Sequence, residues 1–155
     1  MPEYNLVING KHTLAEAQPR TPLLYVLRQV GIYSPRYGCG LEQCGSCRVL
    51  VNGELEYACT KTISEIAGAR VETVEGLAED DLPDVIQQAF LDENAGQCGY
   101  CLSGIIMTAK HLLKHNPRPD RGDIQDALKN NLCRCGAHNR IIRAIERAAQ
   151  QLESG

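Results

Sequence analysis

The chain contains no tryptophan, one phenylalanine and two methionines in 155 residues. Any core must therefore rely on Leu, Ile, Val and Ala. No apolar run reaches the roughly 18 residues that a membrane-spanning helix needs. A basic surplus is also missing. Lys and Arg number 16 against 19 Asp and Glu, a formal net charge of -3, so bulk charge gives no reason to expect nucleic acid or an anionic membrane as a partner. The opening residues, MPEYNLVING, have neither the basic n-region nor the apolar h-region of a secretory signal. The expected location is the cytoplasm, with export on a partner's signal as the alternative. Neither G-x-G-x-x-G nor a P-loop occurs, so no flavin, nicotinamide or ATP site is assigned to this chain.

What is present is a globular composition, 43% hydrophobic and 23% charged, long enough for one ordinary domain or two small ones. The first half reads as β-rich. YNLVINGKHTL alternates apolar Leu6 and Ile8 before Asn9-Gly10, and CRVLVNGELEYAC does the same around Asn52-Gly53. Asn-Gly between alternating residues is a hairpin signal, because a type I′ turn needs positive φ at both central positions. Between the hairpins, TPLLYVLRQVG predicts a short helix with Thr21 as cap, Pro22 in its first position and Gly31 at its end. A further strand is expected over residues 70–76.

Residues 76–84, GLAEDDLPD, read as an acidic linker whose Asp80 or Asp81 caps a following helix. The second half has helical periods. Leu102, Ile105, Ile106, Ala109, Leu112 and Leu113 follow one apolar stripe, and Ile141, Ile145, Ala148, Ala149 and Leu152 follow another. Shorter helices fit PDVIQQAFLDEN and DIQDALKNN, making a four-helix unit. The expected fold class is α+β, with residues 1–76 forming a β-rich domain and 77–155 an all-α domain.

The chemistry lies in eight cysteines, at 39, 44, 47, 59, 98, 101, 133 and 135. Without a secretory signal, metal binding is a better reading than four disulfides. The first quartet, Cys39, Cys44, Cys47 and Cys59, runs C-x4-C-x2-C and then closes from the second hairpin. That is the spacing of plant-type 2Fe-2S ferredoxins. A four-cysteine zinc site is the rival, although zinc ribbons usually offer two C-x2-C knuckles. Gly38, Gly40 and Gly45 suit a loop that must turn backbone N–H groups toward electron-rich sulfur. The second quartet, Cys98, Cys101, Cys133 and Cys135, combines QCGYC with NLCRCG, each before a helix. A redox dithiol at C-G-Y-C is the alternative. Helix N-termini carry partial positive charge and free N–H groups, which would stabilise a thiolate-ligated cluster. Arg134 either adds to that charge or is solvated. His111 and His115 lie one helical turn apart, and with no further ligand evident nearby they read as surface or interface residues.

Taken together, YGCGLEQCGSCRVLVNG, YAC, GQCGYCLSGIIMTAKHLLKHNP and NLCRCGAHNRIIRAI resemble the small, two-cluster iron–sulfur subunit of the molybdenum hydroxylases, relatives of xanthine dehydrogenase, aldehyde oxidoreductase and carbon monoxide dehydrogenase. The resemblance covers nearly the whole chain. It implies a β-grasp ferredoxin domain followed by a four-helix domain, each with one 2Fe-2S cluster. It also implies a large partner subunit carrying a molybdopterin, in the cytosine dinucleotide form. Electrons leave that partner through the helical-domain cluster and then the ferredoxin-domain cluster, toward a flavoprotein or cytochrome acceptor. By the same resemblance Gln97 and Cys135 contact the pterin. Many members read C-R-C-T-G-Y at the last ligands, whereas this chain reads CRCGAHNRI. That is closer to the small subunits of bacterial N-heteroaromatic dehydrogenases of the isoquinoline and nicotinate type. The implied substrate of the whole enzyme is an N-heteroaromatic compound or an aldehyde, and His138 is read as a surface residue. A free ferredoxin-like carrier is the competing reading, and a zinc protein a third.

Overall fold

A computed structural model describes residues 1–155. The fold is α+β. Five strands form one mixed sheet: β1 (Glu3–Ile8), β2 (Lys11–Glu16), β3 (Arg48–Val51), β4 (Glu54–Tyr57) and β5 (Arg70–Glu72). They stand in the order β2-β1-β5-β3-β4, with β1 and β5 parallel and the other neighbours antiparallel. Helix α1 (Leu23–Gln29) belongs to the first half. The second half holds α2 (Val85–Asp92), α3 (Leu102–His115), α4 (Arg121–Ala127) and α5 (His138–Ser154), the four helices that the apolar periods predict. No helix is long and apolar enough to cross a membrane.

Both hairpin turns form as expected. Asn9 and Gly10 have φ of 49° and 79°, and Asn52 and Gly53 have 51° and 83°. Helix α1 is capped differently from expectation. Thr21 makes no side-chain cap, and Pro22 occupies the cap position. The N–H groups of Leu23 and Leu24 instead donate to the carbonyls of Lys61 and Ala58. A backbone segment thus satisfies the helix start, and in doing so fixes Cys59 beside α1. At the other end Gly31 takes φ 86° just past the helix, as expected.

Two further expectations are corrected. The strand over 70–76 stops at Glu72, because the Thr73 N–H donates to the Asn9 side chain and Val74–Gly76 turn into a 3-10 helix. Asp80 and Asp81 do not cap α2. They have φ of 49° and 62° and form a tight turn closed by paired Glu79 and Leu82 backbone bonds. Asp84 is the cap: its carboxylate accepts from the Gln87 N–H, and the Gln87 side chain accepts from the Asp84 N–H.

Two apolar cores result. One packs Leu6, Ile8 and Val71 of the sheet against Leu23, Leu24, Val26 and Leu27 of α1. The other packs Ile86, Phe90, Ile105, Met107, Ile124, Ile141 and Ile145 from the four later helices. Strand β3 joins them. Side chains alternate across a strand, so Val49 and Val51 enter the first core while Leu50 enters the second. Helix α3 therefore covers the face of the sheet opposite α1. That docking positions the two cysteine quartets.

Candidate metal centres

The first quartet is built on the loop between α1 and β3. Gly40 takes φ 67°, and Glu42 φ 59°. These dihedrals curl the loop inward around Cys39. Its Sγ accepts from the N–H groups of Leu41, Gln43 and Cys44 at 3.3, 3.2 and 3.3 Å, and the Cys44 Sγ accepts from the Cys39 N–H at 3.4 Å. The donors to Cys39 thus all follow Gly40, while Gly38 has a steric role. A Cβ on Gly38 would lie 2.5 Å from the Cys44 Sγ. Cys47 and Cys59 are buried. The β3–β4 pairing, with Arg48 opposite Tyr57, brings them together across the hairpin base.

The second quartet sits at two helix starts. Cys101 immediately precedes α3. Cys133 and Cys135 precede α5, and the Ala137 N–H donates to the Cys133 Sγ at 3.4 Å. The expected approach of a helix N-terminus to thiol sulfur is therefore present at α5. Cys98 and Cys135 are exposed, whereas Cys101 and Cys133 are half-buried.

Within each quartet the thiols come two by two. Cys39 pairs with Cys44, Cys47 with Cys59, Cys98 with Cys135, and Cys101 with Cys133. Four thiolates around one tetrahedral zinc would all lie about 3.8 Å apart. The one set of three ligand atoms mutually within 4.8 Å in this chain is Glu54, His111 and His115, none of them a cysteine.

The environment also splits the thiols. Burial pushes the Cys39 thiol up, but the three N–H donors outweigh it and hold it at about 7. Burial and the Cys59 thiol push Cys47 up to about 12. Burial and Cys133 do the same to Cys101, also to about 12. Cys98 is lowered by the Tyr100 N–H and by Cys135. For Cys133, burial is outweighed by the Ala137 N–H and its neighbours.

The quartets adjoin. The Leu132 N–H donates to the Cys44 carbonyl at 2.9 Å, so the loop entering the second quartet is bonded to the loop of the first. The Tyr100 hydroxyl donates to the Tyr37 carbonyl across the same seam. A cavity of about 340 Å³ is lined by Cys44, Cys98, Cys101 and Cys133, with His138 exposed at its wall. Arg134 lines the same cavity.

Gln97 is exposed, next to Cys98, and its Oε1 accepts from Arg140 at 3.2 Å. The amide is thereby oriented with its NH2 directed elsewhere. Arg140 is a residue the sequence reading did not single out. A cation in the first turn of α5 is placed against the helix dipole, and that mismatch was the available signal. Buried Asn131 was missed too. Its Oδ1 accepts from Thr108 at 3.2 Å, and its side chain packs against Gly45.

Two independent matches correspond to these two centres. Residues 6–78 match a family described as 2Fe-2S iron-sulfur cluster binding domain, and residues 73–146 match one described as [2Fe-2S] binding domain. The fold and the sites thus define a protein with two 2Fe-2S clusters. A nicotinate dehydrogenase subunit from Pseudomonas putida is 46% identical over 147 residues, 94% of each chain. The alpha subunit of isoquinoline 1-oxidoreductase from Brevundimonas diminuta is 41% identical, covering 94% of this chain and 96% of that one. In three dimensions, quinoline 2-oxidoreductase from Pseudomonas putida 86 superposes with a TM-score of 0.94 at 34% identity, over 99% of this chain and 97% of that chain. The aldehyde oxidoreductase of Desulfovibrio desulfuricans superposes at 0.95 and 35% identity, with this chain matching 17% of that longer one. The chain belongs to the small iron–sulfur subunits of the molybdenum hydroxylases, and so forms part of an oxidoreductase.

Proposed function

We propose that this chain carries electrons within a molybdenum-cofactor-dependent hydroxylase. It stands between a pterin on a large partner subunit, on one side, and an external acceptor such as a flavoprotein or cytochrome on the other. The observation that carries the reading is the shared wall between the two cysteine quartets, joined at Leu132 and Cys44. When bound, two 2Fe-2S clusters supply one-electron transfer, with potentials set by charge, hydrogen bonding and burial. In this reading Cys39, Cys44, Cys47 and Cys59 hold one cluster within a β-grasp ferredoxin domain spanning residues 1–76. Cys98, Cys101, Cys133 and Cys135 hold the other within residues 77–155. The paired thiols and inward N–H donors fit such groups.

The partner-facing side is assigned to the second quartet. Cys98 and Cys135 are exposed there, and exposed Tyr37, Tyr100 and Leu132 stand nearby. Gln97 and Cys135 are assigned to the pterin, in its cytosine dinucleotide form, with Arg140 positioning the Gln97 amide. The names of the relatives support an N-heteroaromatic compound as the substrate of the whole enzyme, with an aldehyde as the second choice. The cytoplasm is the proposed compartment, where thiols stay reduced and available as ligands.

Two outcomes test the residue assignments. Gln97→Ala should leave both clusters in place and reduce turnover of the assembled enzyme about tenfold, the effect of one lost hydrogen bond of about 1.4 kcal/mol. Arg140→Ala should reproduce part of that loss. Unchanged assembly and rate in Gln97→Ala reject the pterin contact. Separately, Cys47 and Cys101, both pushed up to about 12, hold their protons at neutral pH in the metal-free chain. Thiolates are the ligands, so cluster loading must expel those protons. Anaerobic reconstitution should be faster at about pH 8.5 than at about pH 6.5, followed by visible absorbance. Equal rates contradict it.

A further inference from the structure

Away from the cysteines, the turn of the second hairpin meets the outer half of α3. Glu54 begins β4 directly after the Asn52-Gly53 turn, and His111 and His115 lie one turn apart on α3. One ligand atom from each of the three lies within 4.8 Å of the others, and the His111 Nε2 stands 3.5 Å from a Glu54 carboxylate oxygen. The imidazole rings are 4.3 Å apart between centroids.

Two further observations give this cluster a direction. The His115 Nδ1 lies 2.9 Å from the His111 carbonyl. A carbonyl only accepts, so Nδ1 is the protonated nitrogen, and in the neutral ring Nε2 keeps the lone pair. Donation of one ring N–H to a backbone carbonyl is how metal-ligating histidines are commonly held. The second observation is the His111 Nε2 itself. It is buried and has no hydrogen-bond partner, because the Glu54 contact lacks hydrogen-bond geometry. A buried ring nitrogen without a partner carries a desolvation cost that a ligand would remove.

We propose that Glu54, His111 and His115 form a binding site for a divalent cation of the zinc class. Two imidazoles and one carboxylate are a usual zinc set, with a fourth position left for water. Imidazole ligands favour zinc, copper or nickel over magnesium or calcium. In a tetrahedral site the ligand atoms would stand about 3.4 Å apart. The exposed Glu54 side chain is free to close the remaining distance. Such an ion would clip the hairpin that carries Cys47 and Cys59 at its base to the helix that starts at Cys101. It would act as a structural brace between the two cores, separate from the electron path.

The test uses the full chain with both clusters loaded, titrated with zinc chloride by calorimetry, with iron followed by visible absorbance. The expected result is one zinc per chain, a raised melting temperature and unchanged iron absorbance. His115→Ala and Glu54→Gln, both at exposed positions, should each weaken zinc binding by about a hundredfold or more and leave the iron in place. Absence of zinc binding overturns the site. So does zinc binding that persists in His115→Ala, or that proceeds with loss of iron absorbance, since either places the zinc on the thiols instead.

Discussion

Replacing Cys98 by Ser is expected to stop electron delivery while leaving substrate binding on the partner intact. Cys98 is an exposed member of the second quartet, paired with Cys135 and lying beside Gln97. A serine hydroxyl keeps the shape but does not ionise as a thiol does, so the pair loses one anionic ligand. The first quartet has its own N–H donors at Leu41, Gln43 and Cys44 and its own buried pair, Cys47 and Cys59. It should therefore remain loaded, giving a chain with about half its iron. Turnover with an external acceptor should fall more than about a hundredfold, beyond the range seen when only an outer-sphere partner of a metal is lost. Acceptor reduction at the normal rate in this variant would remove the second centre from the path.

Gly104→Ala is expected to destabilise the fold strongly, because its Cβ would make the shortest contact that any glycine's would. Gly104 lies in the first turn of α3, against the loop of the first quartet. A Cβ there would stand 1.9 Å from the Gly45 carbonyl oxygen and 3.1 Å from the Ser46 Cα. Both obstacles are backbone, so no side-chain rotation relieves them. Gly45 is constrained in turn: it takes φ 74°, and a Cβ on it would meet the Asn130 carbonyl at 2.5 Å. The loop must therefore back away from the helix. That would strain the Leu132–Cys44 bond and widen the gap between quartets. Overpacking of side chains costs about 1–3 kcal/mol. A clash with fixed backbone should reach or exceed the top of that range, about 3 kcal/mol. Urea unfolding of the loaded chain checks the value, and a midpoint equal to that of the unmodified chain contradicts the packing described.

These two glycines also show where sequence reading reaches its end. The Asn9-Gly10 and Asn52-Gly53 turns were legible because a turn writes its φ requirement locally. The helices of the second half were legible because burial on one face leaves a period. The cysteine spacing and its resemblance to a known family carried the presence of two 2Fe-2S domains. What stayed hidden depends on contacts between distant segments. Asp84 rather than Asp80 or Asp81 caps α2 because a tight turn intervenes at 79–82. Thr21 is not needed as a cap because the carbonyls of Ala58 and Lys61 reach the helix start. Leu50 alternates ordinarily with Val49 and Val51, and nothing in that alternation shows that α3 covers its face. Glu54 had no visible link to His111 and His115 until the hairpin turn was set against the helix.

The central claim is that two 2Fe-2S centres lie close together in one chain, in series. Low-temperature EPR of the fully reduced chain, with iron counted on the same sample, tests it most directly. The account expects about four irons per chain and two distinct signals, each broadened or split by the other. In Cys98→Ser one signal should vanish and the remaining one sharpen. A colourless chain holding zinc, a single signal from about two irons, or two signals that ignore each other would contradict it.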